Sequence, residues 1–165
     1  MRYLAYVSAV LSLGIAVDAV RAANPPPALA LAPGIGEIPA LDGLYRRVAE
    51  GMRSFDANTV STAFARDGIL LQADGTTASG RGNVAAFYRK ALAPERQKGD
   101  ALRLSFTVTK REVSNRLAYD VGSVVVRRIS DGPAQADAKY PFVVVAGRAD
   151  DGSWRIKVFA FQKLP

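Results

Sequence analysis

The sequence predicts an α+β domain in which three helices come first and a meander of long strands follows. Two observations carry the prediction. Up to Leu92 apolar residues recur at spacings of three and four, and from Leu102 onward they alternate with polar ones. A chain of 165 residues, 49% of them hydrophobic, is the right size for one domain with a proper core.

The first 22 residues have the pattern of a signal peptide. Arg2 supplies a positive start, Tyr3 to Val17 carries no charge, and Val20-Arg21-Ala22 places small residues before Ala23. The uncharged run falls short of the roughly 20 residues a spanning helix needs. Cleavage before Ala23, export to the periplasm or beyond, and no remaining membrane anchor are therefore expected. Residues 23–36, rich in Pro, Ala and Gly, read as a flexible linker, although Leu29, Leu31 and Ile35 have the character to dock on the domain. The domain itself is expected over residues 37–165.

Glu37 to Arg53 is the first helix. Ile38, Leu41, Leu44, Tyr45, Val48 and Met52 share a stripe, and Pro39 suits a first turn. Asp42, Arg46, Arg47, Glu50 and Arg53 are expected on the wet face. Asp56 caps a second helix, Ala57 to Arg66, because its side chain can accept free amides of the next turn. Ile69 to Gln72 is a short strand, and Gly80-Arg81-Gly82-Asn83 leads into a third helix, Val84 to Ala93, stopped by Pro94.

Strands are expected over Leu102–Lys110, Leu117–Ile129, Tyr140–Arg148 and Trp154–Gln162. Ser114-Asn115 and Asp150-Asp151-Gly152 make the tight turns. In the last strand Trp154, Ile156, Val158 and Ala160 alternate with Arg155, Lys157, Phe159 and Phe161, so an outward aromatic patch is expected near its end.

The composition excludes several chemistries. The chain has no cysteine, hence no disulfide and no thiolate metal site. It has no histidine either, which removes the usual general base, metal ligand and catalytic triads. No metal and no cofactor is expected. The net charge of +7 falls by one when Arg2, Arg21 and Asp18 leave with residues 1–22. Its bases are scattered along helices and strands, and in an exported protein they read as a solvated surface, with nucleic acid not expected as a partner.

Asp56, AFARDGILL (Ala63 to Leu71), GRGNVAAFY (Gly80 to Tyr88), LAYDVGSVV (Leu117 to Val125) and DGSWRIKVF (Asp151 to Phe159) together resemble the nuclear transport factor 2-like superfamily. The resemblance is to its SnoaL-like and ketosteroid-isomerase-like bacterial domains in particular. It implies a cone: a curved antiparallel sheet wrapped around a long N-terminal helix and two shorter ones, with an apolar pocket. It also implies a homodimer through the outer sheet face.

Ketosteroid isomerases use a carboxylate base with a Tyr and a protonated Asp as oxyanion donors. The resemblance places those three roles at Gln72, Val48 and Val145, and none of these residues can perform them. Tyr45 and Asp74 are the nearest substitutes, but they read as a core ring and a turn residue. Asp67 reads as a helix-end residue and Asp120 as solvent-facing. Arg81, between two glycines, reads as surface or as an anion contact at the start of the third helix. Dehydrating relatives rely on a histidine. Epoxide-hydrolysing relatives use an Asp-Arg-Asp relay, which the linear sequence does not assemble.

No catalytic residue is therefore assigned. The expected function is an exported small-molecule-binding or assembly domain with an apolar pocket lined by Tyr45, Val48, Gln72, Phe87, Val145 and Trp154. Two alternatives stay open. One is a SnoaL-like isomerase or cyclase acting on a small apolar carbonyl compound; the other is a structural dimerisation module for an envelope protein.

Overall fold

The computed structural model describes residues 27–130 and 136–162, so the expected signal segment lies outside them. Among the described residues one seven-stranded sheet runs in the order β1-β4-β5-β6-β7-β2-β3 and packs against three helices. The elements are β1 (Leu29–Leu31), α1 (Pro39–Arg53), α2 (Ala57–Thr62), β2 (Phe64–Leu71), β3 (Thr77–Ser79) and α3 (Arg81–Lys98). The long strands follow: β4 (Ala101–Val113), β5 (Leu117–Ile129), β6 (Ala138–Arg148) and β7 (Trp154–Phe161). The architecture is the expected α+β one, a curved sheet around α1. Two pairings are parallel, β1 with β4 and β2 with β7, and the others are antiparallel.

Helix α1 buries Leu41, Leu44, Tyr45, Val48 and Ala49 against the sheet, as its stripe requires. Asp42 departs from the expected wet face. It is 1% exposed, and its carboxylate reaches back to accept the Ile38 N–H at 3.0 Å. Helix α2 begins at Asp56, which accepts the Asn58 N–H at 2.9 Å. It ends at Thr62 rather than Arg66, because Phe64 to Arg66 already belong to β2. Gly51 lets α2 cross α1 closely: a Cβ there would lie 2.6 Å from Val60 Cγ2.

Helix α3 runs through Pro94 to a left-handed Gly99 instead of stopping at Ala93. Pro94 is exposed, so the hydrogen bond it withholds can be made up by water.

The expected linker is partly structured. Leu29–Leu31 pair with Phe106–Val108, and Ala32 N–H donates to the Val108 carbonyl at 2.9 Å. Docking of Leu29, Leu31 and Ile35 on the core is what makes this stretch a strand.

Two β-bulges determine what the sheet encloses. In β4 the register shifts between Val108 and Lys110, so the inward row Leu102, Leu104, Phe106, Val108 continues at Arg111. In β7 the register shifts at Lys157, so the inward row Trp154, Ile156 continues at Phe159 and Phe161. Phe159 is fully buried, packed on Phe142 at 5.7 Å, and Phe161 stacks on it at 4.3 Å. The outward aromatic patch expected on β7 is thus turned inside. The outer face is aliphatic instead, with Val121, Val143 and Val145 in neighbouring register and Val143 39% exposed.

Candidate functional site

The interior divides into three layers along α1. At the start of α1 lies a polar cluster, in the middle an aromatic plug, and at the end of α1 a cavity.

The polar cluster joins α1, β4 and β5. Arg111 donates from Nε and Nη2 to Asp120 Oδ1 and Oδ2, both at 2.9 Å, and from Nη1 to Asp42 Oδ1 at 2.7 Å. The Tyr45 hydroxyl donates to Asp120 Oδ2 at 2.7 Å. Asp120, expected in solvent, is 1% exposed, because the inward row of β5 is Ala118, Asp120, Gly122 and Val124. Burial above all, and then the neighbouring Asp120 carboxylate, push the Tyr45 hydroxyl well above the ordinary phenol range. Among the described residues the guanidinium, both carboxylates and the phenol of this cluster are each hydrogen-bonded to another member. The cluster is a clamp. An Asp-Arg-Asp set does exist in the fold, but its carboxylates are occupied by one guanidinium and by Tyr45.

The plug is Tyr45, Phe106, Phe142 and Phe159, with ring centroids 5.2 to 6.2 Å apart. Beyond it a cavity of about 540 Å³ lies between α1, α3 and the sheet. Its walls include Met52, Phe87, Leu102, Leu104, Val124 and Phe161. Gln72, Tyr88 and Tyr140 reach the same space, and among the described residues no hydrogen bond satisfies their side chains. Burial keeps the Tyr88 hydroxyl protonated by raising it far above the ordinary phenol range.

Two carboxylates, Asp74 and Glu95, also line the cavity, and both are engaged. Asp74 accepts the Thr76 N–H at 2.8 Å, which holds it below the usual carboxylate range. Glu95 pairs with Arg128 at 2.6 Å. Beside its apolar walls the site offers one amide, two phenols, the turn carboxylate Asp74 and the paired Glu95 and Arg128. With both carboxylates engaged, the set is suited to holding a ligand edge by hydrogen bonds and poorly suited to moving a proton.

Of the six pocket residues expected from sequence, Gln72 and Phe87 line this cavity. Tyr45 and Val48 are solid core, each 1% exposed. Val145 points to the outer sheet face, because Val144 and Ala146 beside it take the inner one. Trp154 sits at the other end of β7, paired with Arg148. Sequence reasoning missed Tyr140, although its alternation with Phe142 and Val144 on β6 carries the signal. Among the described residues no group of three or more acidic side chains is placed to hold a metal ion. No described helix is long and apolar enough to cross a membrane.

Sheet order, bulges and helix packing together define the class: the chain has the nuclear transport factor 2-like, cystatin-like fold. A domain of unknown function from Nostoc punctiforme PCC 73102 with this fold superposes at a TM-score of 0.63 with 21% identity over 76% of each chain. A nuclear transport factor 2-like protein from Novosphingobium aromaticivorans gives 0.61 and 24%, covering 74% of this chain and 78% of that one. A Catenulispora acidiphila protein, solved in complex with S-DNPA, gives 0.64 and 14%, covering 74% and 90%. At these identities the likeness is one of fold. The sequence matches no family model and no curated protein.

Proposed function

We propose that the protein binds a small, largely apolar molecule in the cavity at the end of α1, holding its polar edge through Gln72, Tyr88 and Tyr140. One observation carries the reading: three polar side chains with no hydrogen-bond partner among the described residues converge on a largely apolar space of about 540 Å³. That volume lies inside the range of about 300–1,000 Å³ usual for ligand pockets. The engaged state of Asp74 and Glu95 favours binding over isomerase chemistry. The S-DNPA complex of the Catenulispora protein supports a ligand at this fold. The signal pattern of residues 1–22 adds export to the proposal.

The test is thermal unfolding against a panel of small apolar carbonyl and hydroxy compounds, together with native mass spectrometry of freshly purified protein. A ligand present at 100 times its Kd raises stability by about 2.7 kcal/mol. Ala91→Trp, which fills the cavity mouth, is expected to abolish the rise. If no compound stabilises the protein and no retained mass is found, the reading fails. N-terminal sequencing of the processed protein tests export by reading, or not reading, Ala23.

A second reading rests on the aliphatic outer face. Val121, Val143 and Val145, with Val158 and Ala160 beside them in register, form a patch suited to a second copy of the chain. Sedimentation of Val143→Glu against the parent decides it: a dimer in the parent and a monomer in the variant support the reading.

A further inference from the structure

A second cleft lies at the far end of β7 from the cavity. It has a volume of about 430 Å³ and is formed by the start of β2, the first residue of α3 and the β6–β7 hairpin. Arg66, Arg81, Arg148 and Arg155 line it together with Lys157, against only two carboxylates, Asp67 and Asp151.

Both carboxylates are already used. Asp67 accepts two bonds from Lys157 Nζ, at 2.8 and 3.0 Å. Asp151 accepts the Ser153 N–H at 2.9 Å and the Ser153 hydroxyl. No carboxylate lies within ion-pair distance of any of the four guanidinium groups among the described residues.

Three of the four are pinned by backbone carbonyls. Arg81 donates from Nε and Nη2 to the Phe64 carbonyl at 2.9 and 2.6 Å. Arg148 donates to the Gly152 carbonyl at 3.2 Å, and Arg155 to the Trp154 carbonyl at 2.8 Å. A carbonyl orients a guanidinium without neutralising it. Several like charges held in one concavity repel one another and raise the local potential for an anion. Guanidinium forks kept in place before binding suit the tetrahedral oxyanion of a phosphate group.

We propose that this cleft binds a phosphate group carried on a larger molecule. The open volume exceeds what a bare phosphate fills, and the carrier is either a soluble phosphoester or a lipid headgroup.

The experiment titrates inorganic pyrophosphate into the full chain at low ionic strength by calorimetry. It is repeated with Arg66→Gln/Arg148→Gln and with Arg46→Gln/Arg47→Gln, which removes the same charge from an exposed face of α1. Both cleft positions are exposed, so the variant is expected to keep its fold, and circular dichroism verifies this. Saturable binding, weakened about tenfold or more by the cleft pair and unchanged by the control pair, supports the proposal. Sedimentation with vesicles containing phosphatidylglycerol then separates the carriers. Capture that the cleft pair abolishes assigns a lipid headgroup, and capture indifferent to it assigns a soluble phosphoester. Absence of pyrophosphate binding, or equal weakening by both pairs, overturns the proposal.

Discussion

Arg111 and Asp120 stand directly opposite each other on β4 and β5, joined by two parallel hydrogen bonds of 2.9 Å. The bulge one turn of the pleat earlier creates this pairing. In a regular ladder Lys110 would stand opposite Asp120 and Arg111 would lie on the outer face, so the buried carboxylates would lose the planar fork that pairs them.

Removing the guanidinium alone leaves Asp42 and Asp120 buried without a counter-charge. Arg111→Met is expected to cost about 3–5 kcal/mol in urea unfolding. Arg111→Lys recovers only part of this, because an ammonium cannot make the two parallel bonds. A loss below about 1 kcal/mol for Arg111→Met would refute the clamp as described.

The Tyr45 hydroxyl titrates above its ordinary value in the fold. Its contribution is therefore complete below the unfolded value of about 10 and is lost as pH rises toward the folded one. Tyr45→Phe should flatten the alkaline limb of the stability–pH profile. At neutral pH it should lower stability by about 1.5–3 kcal/mol, the range for a hydrogen bond to a charged group.

Asp56 behaves in the opposite sense. Bonds from Thr59 and Asn58 lower its carboxyl below the ordinary range. Its stabilisation is complete above the unfolded value of about 4 and is lost as pH falls through the folded one. Asp56→Asn keeps a good cap and removes the titration, so on acidification the parent should lose stability relative to the variant.

Gly122 pairs with Val108 beside the β4 bulge, and an added Cβ would collide with the Thr107 carbonyl and lie 2.9 Å from the Phe142 ring. Gly122→Ala is expected to cost about 1–3 kcal/mol, as overpacking does. Unchanged thermal unfolding would show that the bulge can slide.

Much of the architecture was legible in the sequence. The α1 stripe, the Asp56 cap, the alternation of β4 before its bulge and the Asp-Asp-Gly turn each follow from a local rule that the fold obeys. The parts that were not legible depend on partners distant in the chain. A period-two reading carries no mark where a bulge inserts one residue, so Arg111, Phe159 and Phe161 change faces without a local signal. Asp42 and Asp120 read as solvent-facing because a buried charge is unfavourable unless paired, and their partner is found only once β4 and β5 are in register. Gln72 and Phe87 line the cavity as expected. Val145, placed by the resemblance, takes the outer face, and Trp154 faces inward at the opposite end of β7, a distance no local pattern reports.

The pairing of β1 with β4 has a consequence for the order of assembly. Gly36, just after β1, meets Arg111 only across 75 positions of chain, and its carbonyl accepts from Nη1 at 3.3 Å. Such a distant contact carries a large loop-closure entropy and forms late. As the polypeptide emerges, Leu29–Leu31 must wait until α1, α2, α3 and all of β4 have been made. Until β4 emerges β1 has no neighbour, so a chain stalled before Ala101 would present an unpaired strand to other molecules.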